Sequence, residues 1–139
     1  RLCMVVWRRK LDNPWLHRAE TVVKPLVPRP DETDEPTCGP GPFSMADADT
    51  VSDIVLGAGF RDVRLRRCDL PYRIGSDLDE AVDCNLALGP AGEAMRLAGD
   101  EAATLRPQVE AALRDCLVEF TGEDGVVAGA STWIVTAQA

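Results

Sequence analysis

The sequence of 139 residues contains a single histidine, His17, and no two cysteines at the CxxC spacing. Zinc sites usually combine cysteines and histidines at short spacings, so the sequence offers no zinc pattern and we predict no bound metal. A catalytic cysteine needs a neighbouring base, and His17 is the one imidazole that could serve. We therefore interpret the five cysteines as buried thiols of a protein in the reducing cytoplasm.

Basic residues and long apolar runs are also scarce. The chain has 15 Lys and Arg against 23 Asp and Glu, which gives a formal net charge of −8. This excess of negative charge argues against binding to nucleic acid or to an anionic membrane surface. No apolar run approaches the roughly 20 residues that a membrane-spanning helix needs. The short basic cluster between Arg61 and Arg67 is interpreted as the solvated face of a strand.

Three segments have the patterns of β-strands. Leu2–Trp7 is a continuous apolar run, and Ser131–Gln138 is rich in β-branched and aromatic residues, so both predict strands that are buried on both faces. Asp62–Tyr72 alternates apolar and polar residues, which predicts a strand at the edge of the sheet. The glycine-rich residues 121–130 are predicted to form a loop before the last strand.

Helices are predicted between these strands. Asp12 or Asn13 caps a first helix that ends by Pro25, and Asp47 caps a second that ends at Gly59. Residues 76–120 are predicted to form a helical insert, and its longest helix has a broad apolar stripe. That stripe consists of Leu105, Val109, Ala112, Leu113, Cys116, Leu117 and Phe120.

The order of these elements predicts an α/β fold in a single domain, residues 1–139. Residues 25–42 contain six of the ten prolines and an acidic stretch, "DETDE". Because proline interrupts both helices and central strands, this segment is predicted to be an exposed connector.

Several short motifs then agree in order and spacing with a known family. They are "VVWR", "NPW", the proline-rich connector, "PGPFSMAD", a helix that ends in "GAGF", and the final "STWIVTA". In this order the chain resembles, over essentially its whole length, the C-terminal half of a class I S-adenosylmethionine-dependent methyltransferase. The most similar subgroup is the bacterial methyltransferases of ubiquinone and menaquinone biosynthesis.

This resemblance implies a position for each strand in a Rossmann-like sheet of seven. Leu2–Trp7 would be the fifth strand, Asp62–Tyr72 the sixth and Ser131–Gln138 the seventh. The seventh strand of the family runs antiparallel between the other two, so the expected order is 5-7-6.

The resemblance also implies S-adenosylmethionine as the cofactor of the full-length parent, together with a small-molecule methyl acceptor. The family binds the cofactor with loops that would precede Arg1, and neither "GPGPF" nor "GAGF" follows a strand. No cofactor-binding residue is therefore assigned. Since the sequence opens at Arg1 in a strand-like run, we expect a fragment that neither binds the cofactor nor transfers methyl groups alone.

In the resembled enzymes, the end of the fifth strand and the insert after the sixth strand help to wall the substrate pocket. The candidate substrate-side residues are accordingly Trp7, Arg8, Asn13, Trp15, His17 and Phe43. Each has a structural alternative: the aromatic residues pack in the core, Arg8 pairs with an aspartate, and His17 lies on a helix surface. No catalytic residue is assigned, because methyl transfer depends mainly on proximity and alignment of the reactants.

Two other interpretations of the chain remain open. It could be a free-standing, non-enzymatic α+β module that binds a partner or a small apolar ligand, or another chain could supply the cofactor half. In either case the outer edge of Leu2–Trp7 is apolar and bare, and bare edges recruit further strands. We therefore expect a homodimer or higher assembly through that edge.

Overall fold

The computed structural model describes residues 1–27 and 41–139, which adopt a mixed α/β fold. Its strands and α-helices are, in chain order, β1 (Leu2–Trp7), α1 (Pro14–Val23), α2 (Ala48–Gly57), β2 (Arg61–Gly75), α3 (Leu78–Leu88), α4 (Pro90–Leu97), α5 (Ala102–Leu117), β3 (Thr121–Gly122) and β4 (Gly125–Gln138). Short 3-10 turns occupy Lys10–Asp12, Gly99–Glu101 and Val118–Phe120. Most of the predicted connector, residues 25–42, lies outside the described residues.

The four strands form one antiparallel sheet in the order β1-β4-β2, with β3 paired to β4. The last strand therefore lies between the two earlier ones. It pairs with β1 in a register that runs from Leu2 opposite Ala137 to Trp7 opposite Thr132. Because each neighbour runs antiparallel to β4, β1 and β2 point in the same direction.

The described residues group into two compact units. The strand unit comprises residues 1–13, 41–70 and 130–139, and the helical unit comprises residues 14–27 and 71–129. The long strands β2 and β4 contribute residues to both.

Helix α2 covers one face of the sheet in the strand unit. Val51 and Val55 of α2 are buried against Val135 and Ala137 of β4, and Leu2, Met4, Val6, Met45, Phe60, Val63, Leu65 and Trp133 pack around them. Asp47 caps the helix as predicted, since its carboxylate accepts a hydrogen bond of 2.9 Å from the Thr50 backbone N–H. Ile54, which directly precedes Val55, is half exposed, because only Val51 and Val55 of this helix are buried.

On the opposite face of the same sheet, no element within residues 1–27 and 41–139 covers the middle of β1, and this corrects the prediction that β1 is buried on both sides. Side chains alternate along a strand, so Cys3, Val5 and Trp7 point away from α2. The side chain of Val5 is 64% exposed and Cys3 is exposed as well. We call the α2 side the covered face and the other side the open face.

The strand β2 lies at the edge of the sheet, as predicted, and is longer than the predicted Asp62–Tyr72. Val63 and Leu65 belong to the covered face, whereas Arg64 and Arg66 are exposed on the open face. The edge strand therefore has an apolar side and a basic side.

The helical unit is built on α5, whose buried residues Val109, Leu113 and Leu117 follow the predicted stripe. Helix α5 packs against α1 and α3, and α4 packs against α1 and α3. Asp77 caps α3 by accepting a hydrogen bond from the Glu80 N–H at 2.9 Å. Proline at the first position of α4 separates that helix from α3, because Pro90 has no N–H to continue the α3 hydrogen-bond series.

Residues 121–130 are not the loop that the glycines predicted. Thr121–Gly122 pairs with Gly125–Val126 around a two-residue turn, and β4 then continues through the remaining residues of the segment. Gly125 has a φ of +95°, and a Cβ there would lie 2.5 Å from the carbonyl oxygen of Gly75. Gly122 and Gly125 thus belong to one tight hairpin. The composition of the segment did not distinguish this hairpin from a loop.

Candidate functional site

The carboxyl end of β1 brings two of the predicted residues together in the strand unit. The ring centroids of Trp7 and Phe43 lie 6.3 Å apart, with the ring planes tilted by 44°. The Nζ atom of Lys10 lies 5.4 Å from the centroid of the Phe43 ring, within the range of a cation–π contact. All three side chains are partly exposed, so solvent reaches a small surface of two aromatic rings and one ammonium group.

Arg8, which follows Trp7, is buried and forms ion pairs with two aspartates. Its Nη1 lies 3.0 Å from Oδ1 of Asp69 and its Nη2 lies 3.1 Å from Oδ2 of Asp12. The guanidinium carbon also lies 5.1 Å from the centroid of the Trp133 ring. The guanidinium therefore joins the end of β1 to β2, which is the structural alternative stated for this residue.

Asp12 is shared by two arginines. Arg9 donates to both of its carboxylate oxygens, at 3.2 and 3.3 Å. The hydrogen bond from Arg9 and the positive charge of Arg8 together hold the pKa of Asp12 below its usual value, against the opposing effect of burial. Asp12 thus stays ionised at neutral pH and completes the neutralisation of Arg8.

Asn13 is also buried, and its side-chain amide extends the sheet. The Nδ2 group donates to the carbonyl oxygens of Arg9 and Ser131, at 3.1 and 3.2 Å, and Oδ1 accepts from the Ser131 N–H at 2.8 Å. The pair of bonds to Ser131 imitates one more residue opposite β4. The amide has no capacity left for a ligand beyond one lone pair of Oδ1.

The other two predicted residues, Trp15 and His17, belong to the helical unit. Trp15 is 3% exposed, and its ring stacks on Tyr72 with a centroid distance of 5.5 Å. Its indole N–H has no hydrogen-bond partner among the described residues. His17 is partly exposed on α1, and its backbone carbonyl accepts a hydrogen bond from the Thr21 hydroxyl at 2.8 Å.

Sequence reasoning missed three residues of the site: Lys10, Asp69 and Trp133. Trp133 supports the site twice, because its ring underlies Arg8 and its Nε1–H donates to the Ala46 carbonyl at 2.9 Å. The only signal for Asp69 was an acidic residue beside the arginines of β2. Such a residue has many candidate partners in a chain with 15 Lys and Arg.

A concave region lies at the amino end of β1, on the strand unit. It has a volume of about 410 Å³ and is lined by Arg1, Leu2, Cys3, Asp62, Arg64, Thr136, Ala137 and Gln138. Asp62 has a φ of 54°, a left-handed conformation that aspartate adopts more readily than most residues. The lining is mixed in charge, and three strands contribute to it.

Among residues 1–27 and 41–139, no glycine with positive φ has the position that a binding loop for S-adenosylmethionine needs. Such a loop follows a strand and begins a helix. Among the described residues, the glycines with positive φ end α2 (Gly59), follow α4 (Gly99) or form the hairpin (Gly125).

No group of three or more His, Cys, Asp or Glu is arranged to hold a metal ion in residues 1–27 and 41–139. Within the same ranges, every helix is too short or too polar to cross a bilayer.

The sequence was finally compared with known proteins. Neither the protein-family models nor the curated proteins that we searched gave a match.

Proposed function

We propose that the chain is the substrate-side, C-terminal portion of an S-adenosylmethionine-dependent methyltransferase. The observation that carries this proposal is the strand order β1-β4-β2, with the last strand inserted antiparallel beside the first. The resemblance of the sequence implies the same order for the fifth, seventh and sixth strands of a Rossmann-like sheet. The helix α2 before β2, packed on one face, also suits this proposal.

The aromatic surface at the end of β1 supports the proposal. Ligands of open α/β sheets bind beyond the carboxyl ends of the strands, which is where Trp7 and Phe43 meet. In this proposal the two rings wall the methyl acceptor, while Arg8 and Asn13 act through them by fixing the end of β1. Methyl transfer requires that the acceptor be aligned with the methyl donor, and a fixed wall supplies half of that alignment.

The first experiment is to sequence the source gene upstream of the codon for Arg1. Roughly a hundred or more in-frame residues, with a strand, a glycine-rich turn and a helix, would support the proposal. The longer product should then bind S-adenosylhomocysteine in a calorimeter, and the 139-residue chain should not. Binding by the short chain, or no binding by the longer product, would contradict the proposal.

A second experiment addresses the aromatic wall in the longer product. Transfer of a labelled methyl group from S-adenosylmethionine to a small-molecule extract should fall on replacing Trp7 or Phe43 by Ala, with cofactor binding unchanged. The matched control is Leu88→Ala, because Leu88 is 72% exposed on α3 of the helical unit. Equal loss of transfer in all three variants would argue against a substrate wall at Trp7 and Phe43.

The second candidate function is the binding module, and the open face of the sheet favours it. Exposed Val5 lies in one row with the exposed Cys3 and directly opposite Ile134 of β4, and a contiguous apolar patch of this kind often marks an interaction site. A start codon directly before the codon for Arg1 would favour the binding module over the methyltransferase portion. The predicted assembly through the edge of β1 is tested separately by light scattering at micromolar concentration, where a clean monomer would exclude it.

A further inference from the structure

The open face of the strand unit is divided into an apolar half and a basic half. On β1, Cys3, Val5 and Trp7 form a row, and Ile134 of β4 lies directly opposite Val5 in the register. The 64% exposure of Val5 shows that no residue in the described part of the chain covers the middle of this row. Sheet faces that stay in solvent are normally polar, so an apolar row of this kind marks a surface that is covered by something else.

The basic half lies on β2. Arg64 and Arg66 are exposed on the open face, and neither makes an ion pair with any residue in the described part of the chain. The chain as a whole has a net charge of −8, so two unpaired arginines in one row are a local exception. Guanidinium groups bind carboxylates strongly, so these two arginines favour a partner that carries acidic residues.

The surface between the two halves is concave at the amino end of β1. The lining of the cavity of about 410 Å³ includes Cys3 of β1, Thr136 of β4 and Arg64 of β2 from the open face, together with Arg1, Asp62, Gln138 and the covered-face residues Leu2 and Ala137. Neighbouring strands lie about 4.8 Å apart, so β1 and β2 are separated by roughly 10 Å across β4. This is the diameter of one α-helix with its side chains, about 10–12 Å.

We propose that the open face is a docking surface for an amphipathic helix of a partner protein, with an apolar stripe over β1 and β4 and an acidic flank over β2. The occupant is argued from charge complementarity and from width. A second copy of the chain fits poorly, because two-fold packing of this face sets Arg64 and Arg66 against each other or against the apolar row. Both arrangements leave buried charges without partners.

The test uses two synthetic peptides of about 18 residues, five helical turns, with the same leucine stripe. One peptide carries Glu along the flank and the other carries Lys. Fluorescence anisotropy of the labelled peptides should show that the chain binds the Glu peptide in preference to the Lys peptide. In the double variant Arg64→Glu/Arg66→Glu the ratio of affinities should change by roughly tenfold or more, since two attractions become two repulsions.

Matched controls separate the docking surface from general charge and stability effects. Lys24→Glu/Arg106→Glu changes the net charge equally, on exposed residues of the helical unit, and should leave the preference for the Glu peptide intact. Val5→Lys should weaken binding of the Glu peptide by about tenfold because a buried apolar contact is lost. Val118→Lys, on a residue that is also exposed, should not weaken it.

Four outcomes would overturn the proposal. They are equal binding of both peptides, a Glu preference that survives Arg64→Glu/Arg66→Glu, and a dimer in light scattering that Val5→Lys dissociates. The fourth is binding to vesicles of phosphatidylcholine and phosphatidylserine, but not to the Glu peptide, which would assign the face to an anionic lipid surface. All of the substitutions are at exposed positions, so unchanged circular dichroism spectra should accompany each variant.

Discussion

Two asparagines, one in each unit, are equally buried and differently used. Asn13 in the strand unit and Asn85 in the helical unit are both 0% exposed. Asn13 bonds through both atoms of its amide to Ser131, which is 118 residues away in the chain. Asn85 donates only to the Ala81 carbonyl within its own helix, at 2.9 Å, and its Oδ1 has no partner among the described residues.

The difference shows that the burial of a polar residue does not measure its contribution to stability. A buried amide stabilises a fold when its partners lie on segments that would otherwise separate, and it destabilises the fold when an acceptor is left unpaired. The strand unit should therefore be sensitive to the loss of polar groups at the end of β1. The helical unit should tolerate the loss of Asn85.

The largest effect is expected for Asn13→Ala. The substitution leaves the N–H and C=O groups of Ser131 without the amide and removes a third bond to Arg9, so the free energy of unfolding should fall by about 3 kcal/mol. Urea denaturation followed by circular dichroism measures this change. A loss below about 1 kcal/mol would mean that water replaces the amide and that the two asparagines are equivalent after all.

Replacing Arg8 by Met should have the next largest effect. The methionine keeps the aliphatic packing on Trp133 but removes both ion pairs, to Asp12 and Asp69. We expect a loss of about 2 kcal/mol, less than for a fully buried pair because Asp69 is half exposed. Arg9→Met is the control: Arg9 is exposed, so an equal loss there would show that Arg8 has no special role.

Acid should destabilise the strand unit through Asp12. The pKa of Asp12 is lowered in the folded protein, so its stabilisation is present above the unfolded pKa, near 4, and is lost as the pH falls through the folded pKa. The Tm should accordingly decrease as the pH falls below about 4. Asp12→Asn should lower the Tm at neutral pH and make the Tm less dependent on pH below about 4. An unchanged dependence of Tm on pH would show that Asp12 does not cause the acid destabilisation.

The smallest effect is expected for Asn85→Leu. Leucine has the same branched shape and the same number of side-chain heavy atoms but bulkier end groups. The loss of one hydrogen bond and this crowding are offset by removal of the unpaired acceptor, so the free energy of unfolding should stay within about 1 kcal/mol of the original. Asn85→Asp, which buries a carboxylate instead, should destabilise the protein strongly. Hydrogen exchange of the α3 amides measures the local stability of this helix in both variants. Strong destabilisation by Asn85→Leu would show that Oδ1 of Asn85 has a hydrogen-bond partner in solution.

Local signals in the sequence were sufficient to place most elements. Leu2–Trp7 is a strand with the predicted bounds, Pro14 and Asp47 mark the starts of two helices, and the apolar stripe of α5 is buried. The hairpin at Thr121–Gly125 was missed because glycines and acidic residues also compose loops. The exposure of Val5 was missed because an apolar run does not tell how many of its faces are covered.

The candidate site was less accessible to sequence reasoning for a physical reason. Arg8 and Asn13 are fixed by Asp69 and Ser131, at separations of 61 and 118 residues, and no local pattern encodes such pairs. Of the three candidates Trp7, Trp15 and Phe43, Trp7 and Phe43 are partly exposed and Trp15 is buried. The division of the open face into apolar and basic halves became apparent only when β4 was seen to lie between β1 and β2.

The exposed thiol of Cys3 makes the open face experimentally visible. Cys68, Cys84 and Cys116 are only partly exposed, and burial raises the pKa of Cys84 and Cys116, which slows their reaction with maleimides at neutral pH. Among the described cysteines, a dye should therefore attach first at Cys3, in the row that contains Val5. A dye on Cys3 would therefore report directly on the open face, where the proposed partner helix docks.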